Sequence, residues 1–429
     1  MTHTLIGLIV GESAAARAVS HERGLPGETR RTALLTVALV GSNSPDLDLL
    51  VGLRGSSAGN LDYMLWHRGY THTVLGCVTL ALLLYAATEL ILRLRHLAPS
   101  REDRLLLFGT AVLATELHLA MDYLNSYGVH PFWPVDNRWR YGDRVFIVEP
   151  LFWAAAAPLW WRLRKPASRL AFVLAVVGMM AAGLATRMLS GLSCLALGAG
   201  FLLLAAVGAR WSPVSAARSS VVLALAVTFA FVLGGSEAAQ RTELIAETEF
   251  PNDRLLDHVL TPQPANPLCW DLWLLETRGD RYVARHAVLS LDPAWLDANG
   301  CAWSRPEPHT APLAAVAASD SPDVHWLGEI VLPRSSLQEV VAADCDAAAF
   351  LLFARAPFLV PRELAPRDLH PSKPNGAGPG AVLGDLRFDR GRERNSFEVP
   401  VANDALEART CRRAAPWIAP RADLLGPPD

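Results

Sequence analysis

His118 and Asp122 lie four residues apart in ELHLAMD, so on a helix they share one face, one turn apart. That spacing offers an imidazole and a carboxylate to one ion. Asp46 and Asp48 follow a proline in NSPDLD. Pro45 bars the residue before it from helical geometry, and a bent backbone there can aim both carboxylates inward. WHRGYTH supplies His67 and His72. Between them stand Arg68, suited to an anionic group, Gly69, which permits close approach, and Thr71, the expected N-cap of the next helix. His3 sits at the tip of the first apolar run, and Glu149 opens a later one. Each piece alone has an ordinary reading: a solvated interfacial histidine, loop aspartates, an intrahelical hydrogen bond. Together they are the donors that hold a divalent metal ion.

Membrane helices must position them. The chain has 429 residues, of which 51% are hydrophobic and 19% charged, and nearly all the apolar excess precedes residue 240. Runs long enough to span a bilayer, about 20 residues, are clearest at Thr71–Leu92, Leu105–Asn125, Leu170–Leu189, Gly191–Ala209 and Ser219–Ala238. Thr32–Leu53 and Val148–Leu163 are weaker, and Thr4–Val19 weaker still. The first run lacks the positive leader of a signal peptide. Arginine-rich loops at 17–31, 93–104, 162–169 and 210–219 all fall on the cytoplasmic side if these eight segments alternate and Met1 starts outside. His3, Asp46, Asp48, His67, His72, His118, Asp122 and Glu149 then collect at the outer ends. Ionisable residues within membrane segments are expensive and usually functional. The outer loop with Asp136, Arg138, Arg140, Asp143 and Arg144 breaks the charge rule and reads as a folded element rather than a plain connection, with Arg144 a second candidate for holding an anion.

The expected organisation is therefore a polytopic α-helical membrane domain of about eight segments over 1–238, then a β-rich soluble domain over 239–429 outside the cytoplasm. In the second part WDLWLLETRGDRYVARHAVLSL reads as a hairpin, AVLGDLRFDRGRERNSFEVPVAN as another, and AFLLFARAPFLV as a buried strand. An accessory or lid role is expected of it. Cys77 and Cys194 fall in membrane segments, whereas Cys269, Cys301, Cys345 and Cys411 suggest two disulfides in an exported domain, with three possible pairings. No basic stripe suggests nucleic acid.

In this order THTLIG, SPDLDLL, HRGYTHT, HLAMDYLNSYGVHPFWP and RWRYGDRVFIVEPLFW resemble the membrane-bound metal-dependent hydrolases of the YdjM-like family, the LexA-regulated inner-membrane group. The resemblance covers about residues 1–165. It implies a bacterial inner-membrane protein, with His3, Asp46, Asp48, His67, His72, His118 and Asp122 as metal ligands or catalytic groups and Glu149 as a further carry-over.

The expected activity is hydrolysis by metal-activated water, with zinc as the ion and manganese as the alternative. Asp48 or Glu149 is the expected general base, and Arg68 the anion-holding group. The position at the membrane face points to membrane lipids, or a lipid-linked phosphoester, as substrate. The rival is a non-catalytic protein in which a structural metal clamps the segments and the C-terminal domain binds a partner.

Overall fold

The apolar runs fold as α1 (Thr2–Arg17), α2 (Gly27–Gly41), the short α3 (Leu49–Gly52) and α4 (Leu61–Trp66), α5 (Val74–Leu94), α6 (Arg101–Tyr123), α7 (Pro150–Ala156), α8 (Pro166–Ala185), α9 (Gly191–Gly208) and α10 (Pro213–Glu249). The computed structural model describes residues 2–17, 24–52, 61–303, 312–361, 379–389, 397–402 and 415–425. Among these, α5, α6, α8, α9 and α10 are long and apolar enough to cross a membrane. Their outer faces carry exposed Leu83, Leu174, Leu195, Leu203 and Phe229, a surface suited to lipid.

Two expected segments are shorter than their apolar runs. Thr32–Leu53 breaks after Gly41, and a 3-10 turn over Pro45–Asp48 leads into α3. Pro45 has no amide hydrogen with which to continue a helix, but Ser44 before it keeps helical geometry at φ −67° and ψ −32°, contrary to expectation, because Pro45 itself opens the 3-10 turn. Val148–Leu163 becomes α7 followed by a 3-10 stretch over Ala157–Arg162, with Pro158 near its start. The last helix is longer than expected: α10 runs through Ala238 to Glu249, about 55 Å in all. Its end exceeds a hydrocarbon core of about 30 Å and packs on the first strands of the C-terminal region. The boundary expected at 238 thus falls inside a helix.

Gly7 and Gly11, four apart on α1, let that helix lie against α2. A Cβ on Gly7 would collide with Ser42, and one on Gly11 would stand 3.0 Å from the Cα of Leu35. Small residues at this spacing allow backbones to approach. The close packing brings His3 to the end of α6.

The C-terminal region is antiparallel. Strands β1 (Arg254–Gln263), β2 (Asn266–Arg278), β3 (Arg281–Ser290) and β4 (Val324–Pro333) pair in sequence order. The first expected hairpin is β2–β3, closed by Gly279 and Asp280, with Gly279 at φ +60°. After α11 (Arg334–Ala343) and α12 (Cys345–Phe350), strands β5 (Pro357–Pro361), β6 (Pro379–Asp385) and β7 (Glu398–Ala402) form a second sheet. Strands β6 and β7 pair as the second expected hairpin, though residues 390–396 between them lie outside the described ones. AFLLFARAPFLV is not one strand. Asp344 caps α12 through the amides of Asp346 and Ala347, so the helix takes the first residues and only Pro357–Pro361 is extended.

The first sheet is buried on both faces. Trp270 and Leu272 pack with α1, α7 and α10, while Trp273 and Leu275 pack with α4, α12 and the second sheet. Side chains on a strand alternate between faces, so each strand serves two cores. The C-terminal region is therefore wedged against the helical half. Cys269 and Cys301 form a disulfide across 32 residues, which by loop entropy contributes about 3–4 kcal/mol. Cys345 is also disulfide-bonded, Cys411 lies outside the described residues, and Cys77 and Cys194 are free and buried.

Candidate metal centre

Four side-chain atoms converge where α6 ends and α5 begins. The Nε2 of His72 lies 3.1 Å from Nε2 of His118, 3.2 Å from Oδ2 of Asp122 and 3.5 Å from Oδ1 of Asp46. The Nε2 of His118 lies 3.4 Å from Asp122 Oδ2 and 3.5 Å from Asp46 Oδ1. A tetrahedral ion with bonds of about 2.0–2.1 Å has ligand–ligand edges of about 3.3–3.4 Å. The spacing fits.

The hydrogen bonds behind these atoms say what they offer. Nδ1 of His118 is 2.9 Å from the Ser42 carbonyl, which only accepts, so the proton sits on Nδ1 and Nε2 presents a lone pair. Nδ1 of His72 faces Asp48 Oδ2 at 3.2 Å and Thr71 Oγ1 at 3.0 Å. The Thr71 hydroxyl donates to Asp48 at 2.6 Å, so it accepts from His72, whose Nε2 is likewise a lone pair when the ring is neutral. Asp122 Oδ2 is buried with no hydrogen-bond partner among the described residues. Four acceptors thus face one another, an arrangement that fits a cation. Burial lowers the His72 imidazole, but Asp122, Asp46 and Asp48 outweigh it and raise it to about 10. The cage attracts positive charge, either a proton or a metal ion.

The surrounding shell fixes the cage. Asp122 Oδ1 accepts from Arg68 Nη2 at 2.9 Å and lies 3.2 Å from His3 Nε2. The His3 ring stacks on His118 at 3.8 Å. Asn125, three residues past Asp122, holds the other arm of Arg68 at 2.9 Å. Asp48 is the hub. Its Oδ1 meets His67 Nδ1 at 2.9 Å, and its Oδ2 accepts from the Arg68 amide at 3.0 Å as well as from Thr71 and His72. Burial raises the Asp48 carboxyl, but the His67 and His72 contacts hold it well below the usual range. Asp46, Asp48 and His67 make a second close group that shares Asp46. Both Asp48 oxygens are already engaged. His72, His118 and Asp122 are sealed, whereas the Asp46 side chain is 31% exposed. Exposed Leu47, Leu50 and Tyr70 are its neighbours in sequence or on the facing turn.

Several expectations change. His3, Asp46, Asp48, His67, Arg68, His72, His118 and Asp122 do come together: four of the seven expected ligands form the cage, Asp48 and His67 join Asp46 in the second close group, and His3 stands beside both Asp122 and His118. Asp48 accepts from His67, the Arg68 amide, Thr71 and His72. Arg68 is buried against Asp122 and is not open to an anion. Arg144 hydrogen-bonds the Asp143 carbonyl and packs at Gly235 of α10, away from the cage. Thr73, not Thr71, caps α5, because Thr71 is spent on Asp48. Sequence reasoning passed over Asn125, although its spacing from Asp122 on α6 is a usable signal.

Glu149 is not in the cage. It caps α7 through the Leu151 amide at 2.9 Å and receives the Ala265 amide at 3.1 Å, joining the helical half to the β1–β2 turn. Fully buried, its carboxyl is pushed up to about 8 by burial, against the two amides. A folded pKa above the unfolded value gives stability that is complete at low pH and is lost as pH rises through 8. Glu149→Gln is therefore expected to lose less stability than the parent protein between pH 5.5 and 8.5. Thermal unfolding in detergent measures this, and parallel pH dependence in both proteins would refute it.

A helical membrane protein with a buried His/Asp cluster able to hold a metal ion is the class that fold and site define. Residues 1–193 match the family model described as YdjM inner membrane protein. The chain is also similar to "Uncharacterized protein YfhP" of Bacillus subtilis (strain 168), 24% identical over 168 residues, which is 38% of this chain. That match spans about half of the relative's length, 47%. No solved structure matches.

Proposed function

We propose that the chain is a membrane-embedded, metal-dependent hydrolase acting on an amphiphile, a lipid or lipid-linked phosphoester. The observation that carries this reading is the cage of four acceptors with one exposed member, Asp46. Two imidazoles and two carboxylates at tetrahedral spacing suit zinc better than manganese, which favours oxygen-rich octahedral sites. A bound divalent ion supplies Lewis acidity and makes water acidic enough to react near neutral pH. Asp46 marks the face at which water and substrate enter. His67, with its Nδ1 held by Asp48, is the proton acceptor at Nε2, taking the role first expected of Asp48 or Glu149. Asp48 keeps the His72 ring in register, and Arg68 holds Asp122 with one oxygen toward the ion. Neither Arg68 nor Arg144 is assigned to an anion.

The exposed leucines beside Asp46 support an amphiphilic substrate, drawn from the bilayer rather than from solution. The arginine-rich loops support a multi-pass arrangement in the bacterial inner membrane, with cage and C-terminal region outside the cytoplasm. Four protein ligands also suit the second reading, a structural ion with the C-terminal region as a binding module. A release assay on a phospholipid in mixed micelles and on a soluble phosphodiester separates the two. The zinc-loaded protein is expected to cleave the phospholipid, and His67→Ala to keep its zinc but lose at least about 100-fold in rate. Zinc-loaded protein that cleaves neither substrate would leave the structural reading.

A further inference from the structure

The C-terminal segment sends Trp417 into the helical half. Its indole N–H donates to the Leu65 carbonyl at 2.6 Å, and its ring stacks on His130 at 3.8 Å and 22°. A Cβ on Gly69 would stand 3.0 Å from its Cζ2. His130, fully buried between Trp417 and Trp139, meets the Arg68 carbonyl through Nδ1 at 3.3 Å. Trp417 therefore touches the chain on both sides of Arg68 and, through His130, Arg68 itself.

Arg68 is the residue that most needs holding. Its φ is +62°, a left-handed conformation that costs a side-chain-bearing residue about 1–2 kcal/mol. In that conformation its amide points at Asp48 while its guanidinium reaches Asp122. One strained residue thus ties the carboxylate that orients His72 to the carboxylate that enters the cage. Asp48, Asp122 and Asn125 hold Arg68 by its amide and guanidinium, and Trp417 and His130 pack over residues 65–69 behind it.

We propose that Trp417 is a positioning residue for the metal cage: the C-terminal region completes the metal site by holding Arg68, and so Asp122 and Asp48, in place. This rests on the reading of the cage as a metal site. Asp122 held through Oδ1 by Arg68 offers the ion one oxygen. Released, it can turn both oxygens to the ion and raise the coordination number.

Cobalt(II) is the probe, because its visible bands are intense in four-coordinate sites and weak in six-coordinate ones. The full-length protein in detergent is titrated with cobalt chloride. Trp417→Ala is expected to bind up to about 10-fold more weakly, the low end of the range for loss of an outer-shell partner because it acts through Arg68, and to show weakened visible bands. Trp417→Phe keeps the stack on His130 but loses the bond to Leu65, and is expected to fall between parent and alanine variant. Arg278→Ala, which removes a half-exposed ion pair with Asp253, controls for general loss of stability and is expected to leave the cobalt spectrum unchanged. If Trp417→Ala does not fold, the phenylalanine variant decides. Parent-like affinity and bands in the folded Trp417 variants would overturn the proposal, as would equal loss in Arg278→Ala. No cobalt binding by the parent protein would instead overturn the metal reading on which it stands.

Discussion

His118→Ala and Asp122→Ala are each expected to lower zinc affinity by more than about 100-fold, since outer-shell partners alone account for about 10–100-fold. His118 is the more informative change. Its Nδ1 is anchored on the Ser42 carbonyl and its Nε2 sits within 3.5 Å of three other cage atoms, so alanine removes one corner and leaves the other three facing a gap. Asp122→Ala removes a corner and also leaves Arg68 buried without its carboxylate. Asp122→Ala is therefore expected to cost stability as well as metal, and His118→Ala mainly metal. Metal content of the detergent-purified proteins, with thermal unfolding alongside, measures both. One zinc per chain in the parent and none in either variant is the expected result. A parent that takes up no zinc, manganese or cobalt after reconstitution would remove the metal site and the proposed hydrolase with it.

Arg355→Ala is expected to destabilise the protein by about 3–5 kcal/mol, the loss typical when one partner of a buried ion pair is removed. Arg355 joins the two halves. Its guanidinium holds Asp143 of the helical half at 2.8 Å, Asp257 of β1 at 2.8 Å and the His258 carbonyl at 2.8 Å, and lies over the Tyr141 ring. Asp143 is buried, and burial already raises its carboxyl despite Arg355. Without the arginine the carboxyl rises further, so the loss is expected to grow with pH as the folded state is forced to bury a carboxylate. Asp143→Asn in the Arg355→Ala background is expected to recover part of it. Denaturant unfolding of single and double variants at pH 5.5 and 8 gives the coupling. A loss below about 1 kcal/mol would place the contact with ordinary surface pairs.

These arginine contacts explain the loop of Asp136 to Arg144, whose charges broke the topology rule in the expected arrangement. Asp136 pairs with Arg138 and Arg140, Asp143 pairs with Arg355, and the Trp139 indole donates to the Leu352 carbonyl at 2.7 Å. The loop is a folded platform on which the C-terminal region sits, and a rule about loops facing water had no bearing on it.

Helix periodicity and chain order carried much of the site. The spacing of His118 and Asp122 puts them on one face of α6 in any helical fold, and alternating helices return His3, Asp46, His72 and Asp122 to one end of the bundle. The break at Pro45 and the hairpin at Gly279 were also local facts, set by a missing amide hydrogen and a permitted backbone angle. Which residues face one another closely enough to hold an ion was settled elsewhere, by what lies behind each ring and carboxylate. The Ser42 carbonyl fixes the proton of His118, Asp48 is used up orienting His67 and His72, and Arg68 is turned inward by a strained backbone. Those bonds join segments far apart in the chain, and a pattern read along one segment carries no information about them. Glu149 has the right type and the right place in the order, yet its carboxyl is drawn to the Ala265 amide more than a hundred residues away, and Trp417 reaches Leu65 across most of the chain. Spacing along an element decides which side chains share a face. Tertiary packing decides which of their atoms are left without a partner, and it is those atoms that can bind an ion.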